Sequence, residues 1–291
     1  MIEEIRWPPT SGAISGSLDE AKEKGWRTVF TDRRLTSPNR LAWKYLFDIT
    51  PDWEAIDIGA GGGGIACQLA EYCRVVALDN DPGNIAFLRL RKEQNKLDNL
   101  TVAEEDAVQI GAVSNSFDLA IMVGSLEWIP IGHPDLYPIA QMVALREAYR
   151  ILKSNGQLFL GIENADYLGY YLGQKEVHTD IKYLSLVGDQ LSRDLRGKPY
   201  LERTYSRNAY LVMLKNAGFK DIKTYWLYPD YAFTHLVIPL DDPEITKYFI
   251  QEHINYDNYS QGLDYHLRVF YNYLENIADH VQFYGFVGRK C

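Results

Sequence analysis

Short apolar runs recur along the first half of the chain, each bounded by polar or glycine-rich turns. The runs cover residues 55–58, Val75–Leu78, Leu100–Ala103 and Phe117–Val123. An acidic residue stands in or shortly after each of the first three. Runs of this length between turns predict buried strands, and strands that are buried on both faces are typical of parallel sheets.

Helical patterns separate these strands. Pro82 suits a first helical turn, and Ile85 and Leu88 follow on one face. The predicted helices are 41–49, one beginning near Ile65, Pro82–Asn95, about Ile139–Leu152 and Arg207–Ala217; the predicted later strands are Gln157–Ile162, Phe219–Leu227 and Val281–Val287. Alternating strands and helices predict an α/β fold with a mostly parallel sheet and helices on both faces.

The glycine-rich loop after the first strand is the most informative feature of the chain. Gly59, Gly61 and Gly63 can adopt backbone angles closed to other residues, and they let the main chain pass close to a ligand. The helix that begins near Ile65 directs free N–H groups and its positive end toward the loop. Open α/β sheets bind ligands at such a strand end, which predicts a site for a nucleoside cofactor.

The loop alone leaves two cofactor classes open. Gly59, Gly61 and Gly64 also fit the dinucleotide pattern G-x-G-x-x-G. Asp57, two residues before the first glycine, would repel a pyrophosphate but can face the ammonium of an amino-acid ligand. Asp79 ends the second strand, twenty residues after Gly59, where an acid accepts hydrogen bonds from ribose hydroxyls.

A third acid completes a family pattern. Asp106 follows the third strand, where a carboxylate can accept from an adenine amino group while the Ala107 N–H donates to the ring. The order of these motifs, with Phe117 and Asp118 on the fourth strand and a turn at 153–156, resembles the class I S-adenosylmethionine-dependent methyltransferases. The resemblance covers roughly residues 41–227 and the final strand. It implies a seven-stranded Rossmann-like sheet whose last strand is antiparallel and lies beside the fifth.

The resemblance also implies the cofactor, S-adenosyl-L-methionine, with S-adenosyl-L-homocysteine as product, and a role for each matching residue. The methionine part would contact Asp57, Gly59, Gly61 and Gly63; the ribose Asp79 and Asn80; the adenine Asp106 and Ala107; and the sulfonium Gly124 and Ser125. No metal is expected.

The base is harder to assign, because Trp128 stands where many small-molecule members carry a histidine. His133, in a loop over the cleft mouth, and Glu163, at the end of the fifth strand, are the candidate catalytic residues. Histidine suits general-base work near neutral pH. Either residue could instead be a solvated or loop-capping group. Glu127, at a strand end, and His178 and His235, in or next to the insertions, are further candidates.

The expected division is an N-terminal cap segment over residues 1–40 and a methyltransferase domain over 41–291. Two segments of this domain, 163–203 and 229–280, are insertions beyond the core that the family needs. Nine of the 21 tyrosines lie between Tyr225 and Tyr273. Tyrosine suits a substrate pocket or a subunit contact, and it can equally pack a helical subdomain. Lids over the cofactor's methyl end are therefore expected, with a homodimer through 229–280 as an alternative.

Composition narrows the function class. The formal net charge of −9 argues against nucleic acid as the main partner, since phosphate backbones favour a basic face. Three cysteines without metal-ligand spacing indicate a reducing compartment and no disulfide framework. No leader or long apolar run is evident, so a cytoplasmic location without membrane association is expected.

These features predict methyl transfer to a small-molecule, sugar or peptide-like acceptor, with oxygen favoured over nitrogen as the accepting atom. Two alternatives stay open. A nicotinamide-dependent oxidoreductase would share the fold, but it leaves Asp57, Asp106 and Ala107 unexplained. A catalytically inactive partner protein could bind the cofactor and use the tyrosine-rich insertion as an interface.

Overall fold

One sheet of eight strands forms the centre of the computed structural model, which describes residues 17–179, 181–184, 187, 189–196, 202–253 and 276–291. In chain order the strands are Glu54–Ile58 (β1), Arg74–Asp79 (β2), Leu100–Glu104 (β3), Phe117–Val123 (β4), Leu152–Glu163 (β5), Lys220–Tyr228 (β6), Leu236–Pro239 (β7) and Phe283–Arg289 (β8). They lie side by side in the order β3-β2-β1-β4-β5-β8-β6-β7.

The α-helices of the described residues connect and cover these strands. They are Leu18–Lys24 (α1), Trp26–Val29 (α2), Ala66–Leu69 (α3), Pro82–Asn95 (α4), Ile129–Gly132 (α5), Ala140–Ile151 (α6), Leu168–Tyr171 (α7), Asp189–Arg196 (α8), Arg207–Ala217 (α9) and Pro243–His253 (α10). Short 3₁₀ helices span Arg33–Leu35, Pro38–Leu46, Leu126–Trp128, Pro134–Leu136 and Ile277–Asp279. None of the helices within these described ranges is long and apolar enough to cross a membrane.

The predicted Rossmann-like sheet is confirmed, with one strand more than expected. β1 to β5 pair in parallel, and β8 inserts antiparallel between β5 and β6, with Leu160 opposite Phe286. The additional strand is β7, which lies in the second predicted insertion and pairs antiparallel with β6. Its four residues were missed as a strand because the run is short and ends in a proline.

Three predicted elements differ in detail. The segment expected as a helix over 41–49 is the 3₁₀ helix Pro38–Leu46, and its fully buried Trp43 stacks on Phe159 of β5 at 4.3 Å between ring centroids. The helix after the glycine loop has four residues only. β5 begins at Leu152 and runs through the predicted turn, where Asn155 takes a left-handed backbone angle. Packing on the sheet, rather than helix propensity, fixes these segments.

The core has two layers, one on each face of the sheet. On one face α6 and α9 pack through Leu145 and Leu214, and on the other lie Trp43 and the helices α3 and α4. A smaller cluster joins Trp26 and Phe30 to Phe87 of α4. Residues 17–40 thereby pack beside the carboxyl ends of the first strands. The boundary predicted at residue 40 stays a prediction, and residues 1–16 of the predicted cap lie outside the described part of the chain.

Candidate active site

A cavity of about 840 Å³ opens at the carboxyl ends of β1, β2, β4 and β5. Its wall includes most of the residues predicted to bind cofactor, together with both candidate bases. The predicted residues on the wall are Gly59, Gly61, Asp79, Asn80, Asp106, Ala107, Gly124, Ser125, His133 and Glu163. Strand ends of a doubly wound sheet are the expected ligand position.

The glycine loop is tied to the end of β2. The N–H groups of Gly59 and Ala60 donate to the Leu78 carbonyl at 2.8 and 2.9 Å, and the Gly61 N–H donates to Asp79 Oδ2 at 2.7 Å. Gly59 has φ +77°, and a Cβ there would lie 2.5 Å from Ser125 Cβ. The loop therefore needs glycine at this position so that it can pass against the end of β4.

Two residues predicted to line the methionine part do not lie on the cavity wall. Asp57 is buried beneath the loop, where its Oδ2 accepts a hydrogen bond from the Ala66 N–H at 3.1 Å. Gly63 faces Leu88 and Cys67, so its missing side chain admits the packing of α4 instead of a ligand. We correct both assignments, since these residues support the loop from behind.

The burial of Asp57 makes the stability of the fold depend on pH. Burial raises the pKa of Asp57 from 3.8 to about 7, despite the opposing effects of Arg40 and the Ala66 hydrogen bond. The pKa of Asp57 is higher in the folded protein than in the unfolded chain, so Asp57 lowers the free energy of unfolding least below about pH 4. This free energy falls as the pH rises through about 7. We expect Asp57→Asn to lose less unfolding free energy between these pH values, measured by urea unfolding. Equal losses in both proteins would contradict the assignment.

Asp79 is the organising acid of the cofactor side. Its Oδ1 accepts from the Asp81 N–H at 3.0 Å and from Asn84 Nδ2 at 3.1 Å, while Oδ2 accepts from Gly61. Each carboxylate oxygen has two lone pairs, so Oδ1 is fully occupied and Oδ2 can accept one further hydrogen bond from a ligand. The neighbouring Asn80 instead donates to Asp106, at 3.3 Å.

His133 lies against the predicted adenine acid. Its Nε2 is 2.9 Å from Asp106 Oδ2 and its Nδ1 is 2.8 Å from the Ile129 carbonyl oxygen. Each ring nitrogen of His133 therefore lies within hydrogen-bond distance of an oxygen of the protein. The role of His133 as a base stays a prediction. It closes the cofactor side of the cavity.

Beyond Gly124 and Ser125, the wall includes residues of the two predicted insertions. The Ser125 hydroxyl donates to the Ile58 carbonyl at 2.8 Å. A Cβ on Gly124 would lie 2.8 Å from the ring of Tyr231, which belongs to the second insertion. Val177 and His178 of the first insertion also line the cavity. Most of the second insertion, residues 254–275 with five of its tyrosines, lies outside the described residues, as do 180, 185–186, 188 and 197–201 of the first.

Glu163 stands at the centre of a buried polar cluster. Its Oε1 accepts a hydrogen bond from the Tyr231 hydroxyl at 2.6 Å and lies 3.8 Å from Nε2 of His178. Its Oε2 is buried without a hydrogen-bond partner, and so are both carboxylate oxygens of Glu127. His178 also packs edge-on against Trp128 at 5.1 Å between ring centroids. A histidine thus reaches this end of the cavity from the insertion.

Burial and charge shift the pKa values of this cluster. Burial first, and the nearby carboxylate of Glu163 second, hold the pKa of Glu127 well above its usual range. Burial disfavours the charged form of His178, but a hydrogen bond to Glu176 and the surrounding carboxylates outweigh it and raise its pKa to about 9. Perturbed pKa values of this kind cluster at functional sites.

Sequence reasoning missed Arg40 and did not assign Tyr231 to the site. The Arg40 side chain lines the cavity beside Gly64, with its Nε buried and without a hydrogen-bond partner. Burial lowers the pKa of Arg40 despite the nearby Asp57. The sequence around Arg40 has only Pro38, two positions earlier, as a local signal of structure. The approach of this segment to the glycine loop depends on tertiary packing, which the local sequence does not show.

Comparison with known proteins supports the family that the motifs predict. Residues 56–160 match the family described as a methyltransferase domain. The ubiquinone/menaquinone biosynthesis C-methyltransferase UbiE of Agrobacterium fabrum is 25% identical over 181 residues, which is 59% of this chain and 66% of that protein. UbiE of Rhizobium rhizogenes is 30% identical over 38% of this chain and 41% of that protein. The matches thus span less than two thirds of these relatives.

Solved structures share the fold. Phosphoethanolamine N-methyltransferase 2 of Haemonchus contortus, in complex with S-adenosyl-L-methionine, aligns with a TM-score of 0.53 and 19% identity over 87% of this chain and 52% of that one. The YcgJ protein of Bacillus subtilis aligns with a TM-score of 0.52 and 15% identity over 87% and 97%. The sequence match to a methyltransferase domain is thus limited to residues 56–160, while the likeness of fold extends over most of the chain. The matched segment and the shared fold support the resemblance that the motifs predict, and the activity of the whole protein stays a prediction.

Proposed function

We propose that this protein transfers a methyl group from S-adenosylmethionine to a small-molecule, sugar or peptide-like acceptor, with oxygen as the accepting atom. One observation carries the proposal. A single cavity joins the glycine loop, Asp79 and Asp106 at one end to the buried carboxylate of Glu163 at the other. The first end suits a nucleoside, and the second suits a group that must lose a proton.

The cofactor's polar parts each meet a suitable side chain in this proposal. Asp79 accepts from the ribose diol, while Asp106 and the Ala107 N–H face adenine. The guanidinium of the half-buried Arg40, whose Nε is buried without a hydrogen-bond partner, would bind the carboxylate of the methionine part. Charge-assisted hydrogen bonds of this kind are about twice as strong as neutral ones.

The chemistry is an in-line displacement. The acceptor oxygen attacks the methyl carbon, the carbon–sulfur bond breaks with its electron pair on sulfur, and the acceptor's proton passes to Glu163. Most of the rate enhancement would come from holding the reacting atoms in near-attack geometry, where effective molarities reach ~10⁵–10⁸ M. Tyr231 orients Glu163 through its 2.6 Å hydrogen bond.

Both insertions would build the acceptor pocket. Val177 and His178 of the first insertion and Asp230 and Tyr231 of the second line the cavity, which supports this proposal. Segments in such positions exclude water and position the substrate. The homodimer through 229–280 and the cytoplasmic location stay predictions.

Isothermal titration calorimetry with three ligands tests the cofactor assignment. We expect saturable binding of S-adenosylmethionine and S-adenosylhomocysteine and no binding of NAD, which would leave Asp106 and the Ala107 N–H without a role. Binding of NAD alone would favour the oxidoreductase. Cofactor binding with no labelled methyl transfer to any acceptor would favour the inactive partner protein.

A further inference from the structure

Three potential metal ligands converge behind the acceptor end of the cavity. One ligand atom each from Glu127, Glu163 and His178 lies within 4.8 Å of the other two. Glu127 follows β4, Glu163 ends β5, and His178 comes from the first insertion, so three separate parts of the chain bring these groups together. The arrangement is therefore built by the fold and does not arise from neighbours in sequence.

The carboxylates have oxygens that nothing in the described structure satisfies. Both oxygens of Glu127 and Oε2 of Glu163 are buried and lack hydrogen-bond partners. Glu127 is fully buried, and Glu163 is 3% exposed. An isolated buried carboxylate is costly, and buried charges are normally paired or coordinate a metal. The lone pairs needed by a cation are present here and unused.

His178 is held as a metal-ligating histidine is held. Its Nδ1 donates to Oε1 of Glu176 at 2.7 Å, and Glu176 is itself fixed by hydrogen bonds from the His178 backbone N–H and the Thr179 hydroxyl, both at 3.0 Å. This leaves Nε2 directed toward Glu163, at 3.8 Å from its Oε1. Ligating histidines almost always donate their other N–H to a carboxylate, carbonyl or water, which fixes the tautomer.

We propose that Glu127, Glu163 and His178 form a binding site for one divalent first-row metal ion, such as Mn²⁺, Fe²⁺ or Zn²⁺, with Glu176 as the positioning residue. Two carboxylates and one imidazole combine the oxygen donors that Mn²⁺ prefers with the nitrogen that Zn²⁺ and Fe²⁺ accept. Three protein ligands leave coordination positions open, as in catalytic sites. Glu163 and His178 line the cavity, so the open side faces it.

The role of the ion rests on the proposed function. An ion here would bind the acceptor's oxygen beside the methyl group and favour its ionised form. Glu163 would bind the ion through one carboxylate oxygen and receive the acceptor's proton on the other. A cationic amine acceptor is the competing occupant, but the hydrogen bond from Nδ1 to Glu176 arranges His178 for coordination.

Metal binding to the full chain, freed of metal by a chelator, tests the site. We would add Mn²⁺ and follow the free ion by electron paramagnetic resonance, then repeat the titration with Zn²⁺ by equilibrium dialysis. Glu127→Gln keeps the shape of a side chain that does not line the cavity, and it should weaken binding at least ~10-fold. Glu176→Gln should weaken it by roughly 10- to 100-fold. Glu202→Gln is the matched control. It makes the same chemical change in a glutamate that could instead bind a metal ion together with Glu176 and His178.

One ion per chain, lost in Glu127→Gln and kept in Glu202→Gln, supports the proposal. The absence of saturable binding overturns it, and so does equal binding by Glu127→Gln. Loss in Glu202→Gln alone assigns the ion to the other group, and saturable binding of methylammonium without metal binding assigns the site to an amine; both overturn it. Circular dichroism verifies the folds, and Glu176→Gln serves if Glu127→Gln does not fold. Cofactor binding, measured on the same samples, shows separately whether the proposed function holds.

Discussion

Replacing Asp79 with asparagine is expected to weaken S-adenosylmethionine binding by one to two orders of magnitude. The substitution removes the negative charge of the carboxylate that accepts a hydrogen bond from the ribose diol. Each charge-assisted hydrogen bond contributes about 1.5–3 kcal/mol to the binding free energy. It also replaces one of the two oxygens that accept from Gly61, Asp81 and Asn84. Titration calorimetry measures the change in affinity, with circular dichroism as a check of the fold.

Two variants separate the ribose contact from the support of the glycine loop. Asn84→Ala removes one partner of Asp79 but leaves the carboxylate, so it should weaken binding less. Asp98→Asn makes the same chemical change at an exposed residue just before β3, at the amino ends of the strands and away from the cavity. This variant should bind the cofactor as the unaltered protein does. Unchanged affinity in Asp79→Asn would refute the ribose assignment.

Replacing Glu163 with glutamine is expected to lower the rate of methyl transfer by about 10²–10⁴-fold, the usual contribution of a positioned general base. Glutamine has nearly the same shape, but it cannot take a proton from the acceptor. The affinity for S-adenosylmethionine should stay the same, because the loss falls on the chemical step. Single-turnover transfer of a labelled methyl group, with saturating cofactor, measures this rate.

Tyr231 and Glu104 supply the comparison variants for this experiment. Tyr231→Phe removes the 2.6 Å hydrogen bond to Glu163 and keeps the carboxylate, so its rate should fall less than that of Glu163→Gln. Glu104→Gln changes an exposed glutamate at the end of β3 and should leave the rate unchanged. Full activity of Glu163→Gln would show that proton removal does not depend on this residue.

The parallel half of the sheet and the cofactor side of the cavity could be predicted from sequence because both follow from local order. Asp79 and Asp106 come directly after short apolar strands, and parallel strands end at one edge. Their meeting in one cavity therefore needed no knowledge of distant contacts. The antiparallel position of β8 followed from the family resemblance.

The acceptor side could not be predicted in the same way. His178 and Tyr231 reach the cavity from insertions whose paths depend on tertiary contacts, and β7 is too short to carry a periodic signal. Asp57 and Gly63 fit the family motif, but spacing along a chain cannot tell the front of a loop from its back. His133 was placed over the cleft correctly, yet its pairing with Asp106 depends on side-chain direction.

Transfer of a deuterated methyl group tests the central claim most directly. The protein would be incubated with methyl-deuterated S-adenosylmethionine and a metabolite extract, and mass spectrometry would search for labelled products. We predict a labelled small molecule, formed together with S-adenosylhomocysteine by the unaltered protein and strongly reduced with Glu163→Gln. Cofactor binding without any labelled product, across extracts and metal ions, would contradict the account.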